Sequence, residues 1–329
     1  QCTYKIILNG TPVSKNEADL FAQFYLLDWR ILGYKSYWSF AANHLEYDDY
    51  GKIKRVLNKD YLTDKIAPYS VQISKDKCLN LPYKQETTIY FELTCEQAEH
   101  YYVVKEDFLS LDALYEYDTS VLYRTFNALQ QVSSGRKIIS NANKPIKHKS
   151  FFKTPYDNPR IVALLKILKS VEKEKIIIWC KFSHEIQDIE KVLSEKGLNY
   201  SLFYGGLSQK KRQESIERFS KDTQILIANK TCAGFGLNLQ FCHNAIYYNN
   251  DWNWATRAQS EDRIHRIGQK NAIHIYNICA DCTIDNRILR CLYNKEIMSD
   301  SFEKYLLNKN FVDWLDGKEI DDLSDKNRT

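Results

Sequence analysis

"IIIWCKFSHEIQDIEKVLSEKG", residues 176–197, changes period partway along. Five apolar residues run unbroken at 176–180, the length and composition of a strand buried on both faces. Ile186, Ile189 and Val192 then recur at helical spacing, with Ser183 in the capping position and Gly197 as the stop. A strand of this kind followed at once by an amphipathic helix is the repeating unit of a parallel sheet covered by helices.

The unit recurs on both sides. "DNPRIVALLKILKSV" at 157–171 has Asn158 as a cap and Pro159 in the first helical position. Downstream, "TQILIA" at 223–228, "NAIYYN" at 244–249 and "IHIYNIC" at 273–279 read as buried strands, with helices expected around 208–220, 254–267 and 283–297. The fold class is therefore α/β, with a parallel sheet carrying helices on both faces. The first 150 residues differ. "YKIILNGTP" at 4–12 reads as a buried strand ending in a turn, and "KNEADLFAQFYLLDW" at 15–29 as a helix, before an irregular, tyrosine-rich stretch. Residues 119–156 contain no Asp or Glu but carry Arg124, Arg136, Lys137, Lys144, Lys147, Lys149 and Lys153. This stretch reads as a solvated connector, with a strand tracking a phosphate backbone as the functional alternative.

Composition narrows the classes. A net charge of +4 is too mild to draw nucleic acid without local clustering, and no apolar run reaches the roughly 20 residues of a membrane span. The nine cysteines are odd in number, and the close pair Cys279 and Cys282 lacks a second pair at ligand spacing, so no metal site is expected. The chain opens on Gln1, its single methionine is Met298, and no signal-peptide pattern is present; it is expected to be a piece of something longer.

"QSEDRIHRIGQ" at 259–269 carries the chemistry. On a helix running 254–267 and stopped by Gly268, Gln259, Arg263 and Arg266 fall at i, i+4 and i+7 on one face, with Ile264 and Ile267 turned inward. The plain alternative is a wet helix surface paired Asp262 to Arg266 and Glu261 to His265. Upstream, in "TCAGFGLNLQ" at 231–240, Gly234 and Gly236 follow a strand end, where glycines let backbone amides approach an anion. Leu239 stands where a dinucleotide fingerprint needs a third glycine, and Lys230–Thr231 lack the glycines of a phosphate loop.

"SEDRIHRIGQ", with "DWNWATRAQ" and "AGFGLNLQ" before it, resembles the closing motifs of the Swi/Snf family of helicase superfamily two. "ILNGTP" at 7–12 is similar to the third motif of that family, "IIIWCKF" to the fourth, and "YGGLSQKKRQESIERF" to the segment after it. "CLNLP", "LQQVSSG" and "CTIDNRI" resemble its connecting segments. Trp254 replaces the usual proline, and the glycine-rich motif is one residue short of the commonest form.

The resemblance implies an ATP-driven translocase on double-stranded DNA; the lack of a membrane-length apolar run leads to the expectation of a soluble protein, and the richness in Lys, Ile, Asn and Tyr to that of a bacterial or phage-infected cytoplasm, or a nucleus if the source is eukaryotic. It implies ATP and Mg²⁺ held mainly by a first RecA-like lobe whose phosphate loop and acidic box are not in this sequence, so the chain alone is expected to be inactive. By the same carry-over, Arg263 and Arg266 act as arginine fingers with Gln259 orienting them. Gly234, Gly236, Asn238, Asp262 and Gln269 line the nucleotide, while Lys181, Gly205, Gly206, Lys230 and Thr231 meet the DNA backbone. Gly10, Thr11 and Pro12 form the coupling motif. The arginines are expected to face the carboxyl edge of the sheet, free of carboxylates. The expected divisions are a first-lobe remnant at 1–30, a mainly helical insertion at 31–135, a basic connector at 136–157, the second RecA-like lobe at 158–300 and a helix with a polar tail at 301–329. The alternative is a non-catalytic DNA-binding or partner-docking module that keeps the fold.

Overall fold

The structure, a computed structural model, describes residues 4–10, 12–13, 17–47, 51, 53–73, 80–108, 119–140, 145–229 and 237–294. The chain forms two compact units, Gln1–Asn80 and Leu81–Thr329.

The first unit holds α1 (Asp19–Leu32), α2 (Tyr37–His44), an antiparallel pair β1 (Leu45–Tyr47) and β2 (Ile53–Val56), and α3 (Lys59–Ile66). Leu20, Phe21, Phe24, Phe40, Leu45 and Leu62 make its core. α1 breaks at Asp28, whose extended backbone (φ −164°, ψ 118°) lets its carboxylate accept from the Arg30 backbone amide at 2.9 Å. The segment expected as a buried strand at 4–12 is not one. Tyr4, Ile6 and Leu8 are exposed, because no neighbouring strand among the described residues of this unit accepts its ladder.

The second unit is built on β3 (Lys84–Phe91), α4 (Cys95–Phe108), α5 (Thr119–Ser133), β4 (Arg136–Ile138), β5 (His148–Ser150), α6 (Pro159–Ser170), β6 (Ile176–Cys180) and α7 (Ser183–Glu195). It continues through β7 (Tyr200–Phe203), α8 (Gln209–Lys221), β8 (Ile225–Asn229), β9 (Asn244–Tyr247), α9 (Trp254–Glu261), β10 (Ile273–Ala280) and α10 (Ile284–Asn294). Six strands form one parallel sheet in the order β3-β10-β9-β6-β8-β7. The alternation within β6 sorts the two faces. Ile176, Ile178 and Cys180 pack with α6 and α7, and Ile177 and Trp179 with Phe219 of α8, Leu239 and Ile264. Two helical layers thus cover the sheet, as the periods require.

Three expectations change. β3 comes from the stretch expected as a helical insertion, yet it pairs with β10 along all eight residues from Lys84 to Phe91. The described part of 136–157 is not a loose connector: β4 and β5 pair antiparallel, and Arg136 reaches Asp188 of α7 at 2.6 Å. Ser183 does not cap α7. The Glu185 carboxylate bends back to accept from the Lys181 and Phe182 amides at 2.9 and 3.0 Å, moving the cap to Phe182.

Candidate functional site

The helix expected over 254–267 ends at Glu261. Beyond it the chain closes in tighter turns, Arg263 N bonding Ser260 O at 3.3 Å and Ile264 N bonding Glu261 O at 3.0 Å. Long-range donors meet the chain just past the stop. The Gln269 amide donates to the carbonyls of Ile264 (3.3 Å), Gln240 and Cys242 (both 3.0 Å), and the Arg263 carbonyl accepts from Leu239 N at 3.1 Å. These donors satisfy the Arg263 and Ile264 carbonyls outside a helical ladder, while His265 N still bonds Glu261 O at 2.8 Å. Ile264 is fully buried, but Ile267 is 69% exposed rather than turned inward.

The turns carry Arg263 and Arg266 together against the segment at 237–239. Arg266 Nη1 lies 3.4 Å from Leu237 O, and burial together with the like charge of Arg266 depresses the Arg263 pKa, Asp262 partly offsetting both. Among the described residues Arg263 Nε is buried without a hydrogen-bond partner. Among the described residues neither guanidinium has a carboxylate at salt-bridge distance. The plain helix pairing is absent too: Glu261 takes Arg257 at 2.6 Å and Lys84 at 2.8 Å, while His265 bonds Pro82 O at 3.0 Å. Asn238 and Asp262 lie exposed beside the pair. Gln259 sits on α9. Gln269 is 8% exposed with its amide oxygen accepting from Lys270 N and Asn271 N, so its side chain braces the turn.

The arginines are not at the carboxyl edge. Glu261 and His265 contact the chain at 82–84, beside the first residues of β3 and β10. The carboxyl-edge rule governs ligands held by the sheet itself, and a side chain donated to a ligand held by another body is not bound by it.

A second polar cluster occupies the carboxyl edge. Lys181, just past β6, bonds Gln130 Oε1 and stacks its ammonium 3.4 Å from the centre of the Trp252 ring. Gln130 donates to Asn249 Oδ1 at 2.7 Å and Asn250 O at 2.8 Å, and Asn249 donates to Ser134 Oγ and Glu185 Oε1. Below it Arg160 pairs with Asp285, donating also to Ser133 O, Ser133 Oγ and Tyr248 O. Lys181 is thus drawn inward rather than offered to solvent. Gly205 and Gly206 are exposed in the turn after β7, where Leu207 N bonds Tyr204 O at 3.2 Å and a Cβ on Gly206 would meet the Tyr204 ring at 2.9 Å. Lys230, Thr231, Gly234 and Gly236 lie outside the described residues, as does Thr11; Gly10 is exposed, and Pro12 O accepts from Gln23 at 2.7 Å.

Sequence reasoning passed over Arg257. It lies 3.5 Å over the Tyr247 ring and donates to Asn250, Asn277, Glu86 and Glu261, tying β3 to α9. The available signal was Asn277, a polar residue inside an otherwise buried strand.

The chain is similar to known families and solved structures over most of its length. Residues 1–148 match the SNF2-related domain and residues 159–268 the helicase conserved C-terminal domain. An uncharacterized ATP-dependent helicase of Mycoplasma genitalium is 28% identical over 296 residues, covering 88% of this chain and 27% of that protein. A SWI/SNF-related matrix-associated actin-dependent regulator of chromatin of Mus musculus is 24% identical, covering 87% of this chain and 28% of its own length. The chain therefore spans little more than a quarter of either relative. The Sulfolobus solfataricus SWI2/SNF2 ATPase core in complex with dsDNA superposes with a TM-score of 0.57 at 23% identity, covering 93% of this chain and 65% of that one. The parallel sheet with the helicase C-terminal segments wound around it is a RecA-like lobe of helicase superfamily two. Within that class, the SNF2-related segment places the chain in the Swi/Snf family. Among the described residues, no helix is long and apolar enough to cross a membrane.

Proposed function

We propose that this chain supplies the second motor lobe of an ATP-dependent translocase on double-stranded DNA, donating Arg263 and Arg266 to a triphosphate gripped with Mg²⁺ by a first lobe. The observation that carries the reading is the pair itself: two neighbouring guanidinium groups that have no carboxylate partner among the described residues, one with a buried Nε that has no hydrogen-bond partner among them. Such donors suit phosphate oxygens and repel a metal ion, so this lobe's contribution is to charge stabilisation. ATP supplies the transferable γ-phosphoryl group. A fixed guanidinium beside it offsets charge spreading onto its oxygens, an effect of roughly 10³–10⁵ in rate for arginine fingers. Asn238, Asp262 and Gln259 flank the pair, with Gly234 and Gly236 completing the nucleotide face. Gln269 holds the turn in place.

DNA in this reading meets the carboxyl edge through Gly205, Gly206, Lys230 and Thr231, and Lys181 positions those loops from behind. Gly10, Thr11 and Pro12 couple the lobes. The chain by itself turns over no appreciable ATP. The test uses the protein joined to its nucleotide-holding lobe: Arg266→Lys should lower duplex-stimulated ATP hydrolysis by at least about 10²-fold while leaving duplex affinity within about twofold. Turnover within about tenfold of the unsubstituted protein would refute the assignment.

A further inference from the structure

Within the acid-free stretch, β4 and β5 pair as a two-faced hairpin. On one face Arg136 reaches Asp188 at 2.6 Å and the His148 ring lies 5.0 Å from that of His184, so β4 and β5 are fastened to the first turns of α7. Side chains alternate along a strand, which turns Lys137, Lys147 and Lys149 to the opposite face. There Lys137 stands directly across from Lys149. Like charges directly opposite one another destabilise a ladder, and only Lys137 is compensated, by Glu96 at 3.1 Å. Lys147 and Lys149 are exposed, as is Lys153 just beyond β5, and none of the three has a side-chain hydrogen bond or ion pair among the described residues. The nearby Asp157 carboxylate is taken by Thr154. Lys137 serves the fold through Glu96 and the Phe151 ring, 5.9 Å from its ammonium, whereas Lys147, Lys149 and Lys153 add no such contact among the described residues.

We infer that the outer face of the β4–β5 hairpin is a second DNA-binding surface, on which Lys147, Lys149 and Lys153 track the phosphate backbone of a duplex without reading its sequence. The inference rests on the translocase reading above. Lys147 and Lys149 are two residues apart, about 7 Å along the strand, so a row of phosphates answers them better than a single small anion. The hairpin is fastened beside the start of α7, directly after β6, and so stands at the edge of the sheet that also carries the Gly205–Gly206 turn and the exposed Lys210 and Lys211. Two basic features on one edge suit an extended polyanion laid along it.

The test is a titration of the chain with a random-sequence duplex across a salt series. The unsubstituted chain should bind with a linear fall of log affinity against log salt. Lys147→Ala/Lys149→Ala/Lys153→Ala should flatten that slope by about 2–3 and weaken low-salt binding by roughly tenfold or more, equally on two unrelated sequences. Lys166→Ala/Lys169→Ala, on exposed positions of α6, should leave the slope unchanged. A triple variant whose slope stays within about 0.5 of the unsubstituted chain overturns the inference and leaves the translocase reading standing. So does an equal loss in the α6 variant, or a loss confined to single-stranded RNA. Absence of salt-dependent duplex binding by the unsubstituted chain overturns both.

Discussion

Lys181 shows how a residue type suited to DNA contact can be put to another use by its surroundings. Burial pushes its pKa down to about 8 from an ordinary 10.5, against the partial support of Asp251, Glu185 and Asp285. A lysine whose folded-state pKa lies below its unfolded value weakens the fold when protonated. That penalty is fully present below about pH 8 and disappears as pH rises toward 10.5, because in this window the unfolded chain binds more protons than the native one. Denaturation midpoints of the unsubstituted chain and Lys181→Met, measured from pH 7 to pH 10, should therefore diverge in the unsubstituted chain's favour as pH rises, by on the order of 2 kcal/mol. Parallel curves would show that the ammonium is well solvated. The same residue marks a limit of reading by motif. "IIIWCKF" announced a strand and the loop after it, but Gln130 and Trp252, which turn the ammonium inward, are about 50 and 70 positions away.

Elements follow local period until a distant polar group intervenes. α6 begins where Asn158 and Pro159 say it should, and β6 occupies the apolar run. α9 gives way early to tighter turns in which Gln269 and Leu239 donate to the Ile264 and Arg263 carbonyls, and nothing in residues 254–267 themselves reveals those partners. The end of α5 is a related case. "LQQVSSG" has no helical or strand logic of its own, yet three of its polar residues have long-range partners: Gln130 on Asn249, Ser133 on Asp285 and Ser134 on Glu185. Gly135 closes the segment at φ 95°, and a Cβ there would lie 2.6 Å from Asn158 Nδ2, the side chain that caps α6. Gly135→Ala meets both a left-handed backbone and a displaced cap. It should cost roughly 2–4 kcal/mol and lower the melting temperature by several degrees, whereas alanine at Gly197, which has open space around it, should show only the backbone part.

At the scale of the whole molecule, periodicity identifies the repeating βα units but not every strand that joins them. β3 reads weakly because only part of "KQETTIYF" is apolar, as suits an edge strand with one side open. What places it in the sheet is pairing with β10 and the bonds of Glu86 to Arg257 and Asn277, all made across more than 170 residues of sequence. A lobe cut at residue 158, where the local periods begin, would lose more than a strand. Arg160 would keep Asp285 but forfeit Ser133 O and Ser133 Oγ, Asn249 would lose Gln130 and Ser134, and β10 would present a bare edge. A buried guanidinium stripped of part of its shell costs several kcal/mol, a large share of the stability of any domain. A chain of residues 81–329 should therefore unfold in one cooperative transition and stay soluble. A chain of residues 158–329 should aggregate or lack a transition by circular dichroism and size exclusion, since an uncovered strand edge templates association. If the shorter chain melted cooperatively within a few degrees of the longer one, β3 and the α5 segment would be accessories to the sheet rather than members of it.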